Sequence, residues 1–275
     1  MTGTGARPAM RIALGGFGNV AGQLVEAVRT RPEFEIAAIS ARDLDAARRR
    51  AAQRGLNVPV VPADRLCDHA RVIVECATYD AFRTIVEPAV AAGAHVVCVS
   101  VGALGVNLDL VDLAAESGGT IHVASGALPG LDILRAARES GLRSVRLVSH
   151  IRPESLAHEA WVIDRGIDLG PAGHEPVAVF SGSAREAARS FPRHFNVAVA
   201  LALAGIGLDE TEIEVLADGQ LAGARHRVHV VSDAVELEMT SQNRPSRENS
   251  RTSRIVAPSI LAALGELASP LRIGS

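Results

Sequence analysis

The first residues able to do chemistry are glycines. In Gly15-Gly-Phe-Gly-Asn-Val-Ala21, Gly16, Gly18 and Ala21 keep the G-x-G-x-x-G/A spacing. An apolar run, Ile12-Ala-Leu14, precedes them and reads as a buried strand; Val20 to Val28 follows with helical periodicity. In that setting Gly16 permits a tight turn, Gly18 has no Cβ to block a pyrophosphate, and Ala21 lets the helix lie close on the strand. The N–H groups at the helix start then face the phosphate charge. Any tight strand–helix turn uses glycine. What favours dinucleotide binding here is the next strand, Phe34 to Ile39, at the distance a βαβ unit requires.

The residues after that strand would read the adenosine ribose. An acid there bonds a 2′-hydroxyl and selects NAD. This chain has Ser40 and Arg42, with Asp43 one place late, which tilts the expectation from NAD toward NADP. The competing reading makes Asp43 to Arg50 a solvated helix start with Arg42 facing water. A second glycine-bearing loop, Ala124-Ser-Gly-Ala-Leu-Pro-Gly130, ends a late strand. It is either a neighbour of the nicotinamide end of such a cofactor or a plain strand–helix connection.

Proton carriers are few. All 28 basic residues are arginine, so no side chain can form a Schiff base or act as a lysine base. Histidine is then the side chain best suited to proton transfer near neutral pH. The candidates beyond the first domain are His158, His174, His194, His226 and His229. His226 and His229 stand three apart on a predicted strand, so they face opposite ways and make a poor metal pair. No metal site is expected, because Cys67, Cys76 and Cys98 are widely spaced and sit in or beside apolar segments.

The elements that position these residues follow from periodicity. Strands are expected at 12–14, 34–39, around 58–61, and at 71–76, 94–100 and 120–124, alternating with helices at 20–28, 79–92 and 107–117. That alternation predicts an α/β, Rossmann-type, doubly wound parallel sheet in a dinucleotide-binding domain over residues 1–126. After a helix at 131–139 the pattern changes. Val145 to Ile151, Glu212 to Ala217, Arg227 to Val231 and Val235 to Met239 alternate apolar and polar residues. They predict a second, α+β domain over 127–249 with a mostly antiparallel sheet, the last two strands forming a hairpin through Ser232-Asp233. Gly182 to Ala188 and Asn196 to Ala204 supply its helices. The stretch 250–275 holds a final helix, Ile255 to Leu267, expected to pack back on the first domain.

Composition bounds the rest. The 275 residues are 48% hydrophobic but only 3% aromatic, so the cores are aliphatic. A net charge of −3 without a basic run argues against nucleic acid. No apolar run reaches the length of a membrane span. Reduced, dispersed cysteines fit a cytoplasmic protein.

Taken together, several blocks resemble the L-aspartate dehydrogenase family, from Met10 to about Leu264. They are Val74-Glu-Cys-Ala77, Val99-Ser-Val-Gly-Ala103, Ser125-Gly-Ala127, Phe180-Ser-Gly-Ser-Ala-Arg-Glu-Ala-Ala188, Phe191-Pro-Arg-His-Phe-Asn-Val197, Leu201-Ala-Leu-Ala-Gly205 and Glu248-Asn-Ser-Arg-Thr-Ser253. The resemblance implies an NAD(P)-dependent homodimer that interconverts aspartate and iminosuccinate and is linked to NAD biosynthesis. It also implies cofactor contacts at Ala127 and Asn196 and a catalytic histidine at His226. The chain departs from the family pattern around that histidine. Ala224 stands for an asparagine, Arg227 for a glutamate, Gly219 for a proline and Arg251 for a lysine. A dicarboxylate substrate would need cations, with Arg152, Arg193, Arg225, Arg244 and Arg251 as candidates. The departures keep two alternatives open: a related dehydrogenase or imine reductase for another small amino or keto acid, and a dinucleotide-binding redox sensor without turnover.

Overall fold

The computed structural model describes residues 8–170, 175–192, 195–246 and 252–274. His174, Arg193, His194 and Arg251 lie outside the described residues. The chain forms two compact units. One takes in the chain up to Ser100 together with 107–124 and 257–271, and the other holds 101–106, 125–256 and the last few residues.

In the first unit, the strands are β1 (Met10–Gly15), β2 (Phe34–Ser40), β3 (Val72–Glu75), β4 (His95–Cys98) and β5 (Thr120–Val123). Its helices are α1 (Asn19–Val28), α2 (Leu44–Gln53), α3 (Phe82–Ala91) and, after the short α4 (Val101–Leu104) of the other unit, α5 (Asp109–Ser117). All strand pairs are parallel, in the order β2-β1-β3-β4-β5. Ile12, Leu14, Ile73, Val74, Val96 and Val97 are fully buried, as expected of a parallel sheet covered on both faces. The order reverses beside β1, and β1 runs into the Gly16 turn; such switch points open a crevice at the carboxyl edge.

The strand expected around Val58 to Val61 is reduced to an isolated bridge between Ile39 and Val60. Pro59 and Pro62 explain this. Neither has an N–H to extend a ladder, so pairing stops after Ile39 N donates to Pro59 O and Val61 N to Ile39 O.

In the second unit, α6 (Leu131–Arg138), β6 (Leu142–Ile151), α7 (Pro153–Leu156) and α8 (Ala160–Asp164) come first. Then follow β7 (Val177–Ser183), α9 (Ala184–Ser190), α10 (Asn196–Ala204), β8 (Glu212–Ala217), β9 (Arg225–Ser232) and β10 (Glu236–Gln242). The sheet order is β10-β9-β6-β8-β7, with β6–β8 parallel and the other neighbours antiparallel. β9 and β10 form the expected hairpin, closed by Ser232, whose N–H donates to Val235 O. Alternation buries Val145, Leu147, Ser149 and Ile151 of β6 on the same face as His226, Val228 and Val230 of β9.

β7 is an edge strand that the sequence reading missed. It also takes Gly182 and Ser183 from the helix expected there, because Ser183 caps α9. Its Oγ accepts from Glu186 N, and the Glu186 carboxylate accepts from Ser183 N, a capping box that fixes the helix start. Four of the chain's aromatic residues, Trp161, Phe180, Phe191 and Phe195, form one cluster of three edge-to-face contacts and one tilted contact. Trp161 Nε1 donates to Val179 O, and the Arg165 guanidinium lies 3.3 Å from the indole centroid. The final helix, α11 (Val256–Ala268), buries Ile260 and Leu264, and its residues from Ala257 onward cluster with the first unit.

Candidate active site

The glycine turn has the geometry a phosphate needs. Gly16 adopts φ +106, and a Cβ there would stand 2.7–2.8 Å from the backbone of Cys76 and Ala77. Gly16 N donates to Ser40 O and Cys76 N to Gly15 O, which ties the turn to both neighbouring strands. Gly18 differs: it is the N-cap of α1, and nothing lies within 4 Å of an added Cβ. The first turn of α1 has no side-chain cap and no acidic residue. Uncapped N–H groups beside an open cradle suit a pyrophosphate. Ala21 is fully buried where α1 meets the sheet.

Ser40 is buried at the end of β2, whereas Arg42 is exposed and forms no ion pair among the described residues. Asp43 is committed elsewhere. It is the N-cap of α2, its Oδ1 accepting from Ala46 N at 2.9 Å, and that bond holds its carboxyl below the usual range. The acid one place late is therefore a helix cap.

Glu75, at the end of β3, is fully buried and forms no ion pair among the described residues. Burial pushes its pKa up, and four donors offset part of that cost. Ala77 N and Ser100 Oγ donate to Oε1, and Ser100 N and Val99 N to Oε2, at 2.9–3.3 Å. One carboxylate thus pins the loops after β3 and β4, and Ala77 is the residue against which Gly16 closes. A carboxylate ending an apolar strand was the available signal, and the sequence reading did not use it for this role.

In the second unit, His226 is 4% exposed on β9. Its direct partner across β6–β9 is Ser149, whose Oγ lies 3.0 Å from Nδ1. Burial first, and then charge repulsion from His150, push the imidazole down to about 4, so the ring is neutral near pH 7. Nε2 has no hydrogen-bond partner among the described residues. No buried side-chain nitrogen or oxygen there is left unpartnered, so Nε2 belongs to the small exposed part of the ring. His150 Nδ1 lies 3.0 Å from Asp218 Oδ2, an imidazole–carboxylate pair next to the site. Ser149, His150 and Asp218 were not among the sequence candidates. Of the others, His158 is exposed, and His229 pairs with Glu236 at 2.9 Å on the opposite face from His226.

The loop at Ala127 reaches the same neighbourhood. Its carbonyl accepts from Ser241 Oγ at 2.9 Å, and Ser241 is the β10 partner of His226. Asn196 begins α10, and its Oδ1 accepts from Gly102 N at 2.9 Å, fixing the start of α4. Among the arginines, Arg225 donates to Gln242 Oε1 and Arg244 is exposed. Arg152 is half-buried at the end of β6, three residues beyond Ser149, and forms no ion pair among the described residues. Arg227 points away from the His226 face and pairs with Glu238 at 3.4 Å, so this departure leaves the ring untouched. Ala224 uses only its backbone, accepting from Asn243 N.

A reversed-order parallel sheet with an open phosphate turn, followed by a mixed sheet bearing a buried histidine, defines the class: a protein with a dinucleotide-binding domain and a second, histidine-bearing domain. The profile of the homoserine dehydrogenase NAD-binding domain matches residues 16–124, and that of the aspartate dehydrogenase C-terminal domain matches 132–267. The chain is 39% identical to an L-aspartate dehydrogenase of Bradyrhizobium diazoefficiens, over 100% of this chain and 98% of that one. It is 41% identical to L-aspartate dehydrogenase 3 of Bordetella bronchiseptica, over 98% and 99% respectively. The chain belongs to the L-aspartate dehydrogenase family. Its fold matches the crystal structure of aspartate dehydrogenase from Thermotoga maritima with a TM-score of 0.71 at 24% identity, covering 96% of this chain and 99% of that one. No helix among the described residues is long and apolar enough to cross a membrane.

Proposed function

We propose that the protein interconverts L-aspartate and iminosuccinate, the imine then hydrolysing to oxaloacetate and ammonia, with His226 as the acid/base. The observation that carries this is the buried ring of His226, held at Nδ1 by Ser149 and open at Nε2. A nicotinamide dinucleotide bound in this domain would supply the acceptor for the hydride of the substrate Cα. The α-ammonium must first lose a proton, and a neutral imidazole can take it. The substrate's two carboxylates favour the resulting imidazolium, and the same nitrogen returns the proton in the reductive direction. Without lysine, the chain has no Schiff-base route.

The same proposal assigns the turn at Gly16 and Gly18 to the pyrophosphate, with Ala21 of the cofactor motif seating α1 close on the sheet beneath it, and Ala127 and Asn196 to the nicotinamide end. Ser40 and Arg42 would read a 2′-phosphate, which makes NADP the preferred cofactor; the exposed guanidinium, without an ion pair among the described residues, and the commitment of Asp43 to its helix support this. Arg152 is our choice for a substrate carboxylate, since it is half-buried at the end of the β6 strand that carries Ser149 and forms no ion pair among the described residues. The homodimer and the link to NAD biosynthesis are carried over from the family resemblance.

The test is a rate panel with purified protein, ammonia, NADPH or NADH, and a series of 2-oxo acids. Activity with oxaloacetate and preference for NADPH is the expected result. A different preferred acid would replace aspartate as substrate, and cofactor binding without turnover would overturn the enzymatic reading. Light scattering of the eluted protein checks the dimer.

A further inference from the structure

Resting on the assignment of His226, we infer that Ser149 is a positioning residue whose hydroxyl holds the His226 ring at Nδ1 in every protonation state, leaving Nε2 to do the proton transfer. Ser149 is fully buried and so does not touch substrate. Its place is set by the backbone: it faces His226 in direct register across two antiparallel strands, on the covered face of the sheet. The contact therefore needs no flexible loop, and the ring cannot swing without giving up the Ser149 hydroxyl.

The chemistry of the partner matters. A hydroxyl can donate to a bare Nδ1 and, after rotation, accept from a protonated one. It stays bonded whether the neutral ring carries its proton on Nε2 or Nδ1, and also when both nitrogens are protonated. A carboxylate could only accept; it would lock Nδ1–H and stabilise the imidazolium. The carboxylate in this region, Asp218, is bonded to His150 and to Gln220 N. His226 is thus left with a partner that orients it without fixing its charge. The family's usual asparagine and glutamate beside the histidine are replaced by Ala224 and Arg227, neither of which offers the ring a side-chain partner.

The experiment compares Ser149→Ala, Ser149→Thr and His226→Ala. It measures kcat, the KM for oxaloacetate, the NADPH dissociation constant and the imidazole ¹⁵N shifts of His226. Ser149→Ala is expected to lower kcat about three- to ten-fold, the effect of one lost hydrogen bond, with NADPH affinity unchanged. Its ¹⁵N shifts should report a changed tautomer balance, while Ser149→Thr, which keeps the hydroxyl, should recover most of the rate. If Ser149→Ala keeps wild-type kcat and ¹⁵N shifts while His226→Ala is inactive, Ser149 has no positioning role and the assignment of His226 stands. Equal losses in the Ala and Thr variants with unchanged ¹⁵N shifts would reduce the residue to packing. An active His226→Ala would overturn both ideas together.

Discussion

Ser149 and His226 are separated by 77 residues in sequence, yet they face each other across adjacent strands with Oγ 3.0 Å from Nδ1. His226 is buried, depressed in basicity and open at one nitrogen, whereas His229, three residues on, sits on the other face with a glutamate. The two histidines should respond differently to substitution. His226→Ala is expected to lower turnover by about 10²–10⁴-fold, the usual contribution of positioned proton transfer, with cofactor affinity nearly intact. His229→Ala should stay near wild type. Steady-state rates with cofactor titrations on both variants decide this, and near-normal turnover in His226→Ala removes the residue from the mechanism.

The two turn glycines should fail in different ways. Gly16→Ala places a Cβ against Ala77 and demands φ +106 from an L-residue, so it should cost on the order of 1–3 kcal/mol of stability. Gly18 has φ −95 and open space around it, so Gly18→Ala should fold normally. Its added methyl fills the cradle, and NADPH affinity should fall. Thermal melts alongside cofactor titrations separate the two, and a normal NADPH affinity in Gly18→Ala would move the pyrophosphate elsewhere.

Arg42 carries the cofactor preference in our reading. A charge-assisted contact contributes roughly 1.5–3 kcal/mol, so Arg42→Ala should weaken NADP binding about ten-fold or more and leave NAD binding unchanged. Dissociation constants for both cofactors test it. A parallel loss, or no loss, makes Arg42 a surface charge.

Acid should destabilise the fold partly through His226. Its folded pKa, about 4, lies below the ordinary 6.5. The ring's contribution to stability is therefore complete above pH 6.5 and is lost as pH falls through 4. Denaturant midpoints at pH 7 and pH 4 should show a larger drop in wild type than in His226→Asn, which cannot take up the proton. Identical drops would mean that the buried ring does not titrate in this way.

Much of this was legible because it is local. The Gly16 turn, the alternation of β6, β8 and β9 and the opposed histidines all follow from spacing over a few residues. Prolines 59 and 62 are equally visible, and they, rather than the β-rich composition around them, decide that this segment forms only an isolated bridge. β7 was harder: an edge strand needs a partner, β8, that lies a helix pair away in sequence. The partners of the titratable groups were least legible. Glu75 meets Ser100 after 25 residues, His150 meets Asp218 after 68, and His226 meets Ser149 after 77. Such pairs depend on strand order, which periodicity does not encode.

The aromatic cluster makes the protein its own optical reporter. Trp161 is the only indole in the chain, and it lies in the second unit, edge-on to Phe180 with Arg165 over its face. Excited selectively at the indole, its fluorescence follows the loosening of that unit, while Tyr79 of the dinucleotide-binding unit stays silent. Helical circular dichroism reports on both. Recording the two signals through one melt measures whether the halves of this enzyme unfold as a single cooperative system, without a label or an engineered residue.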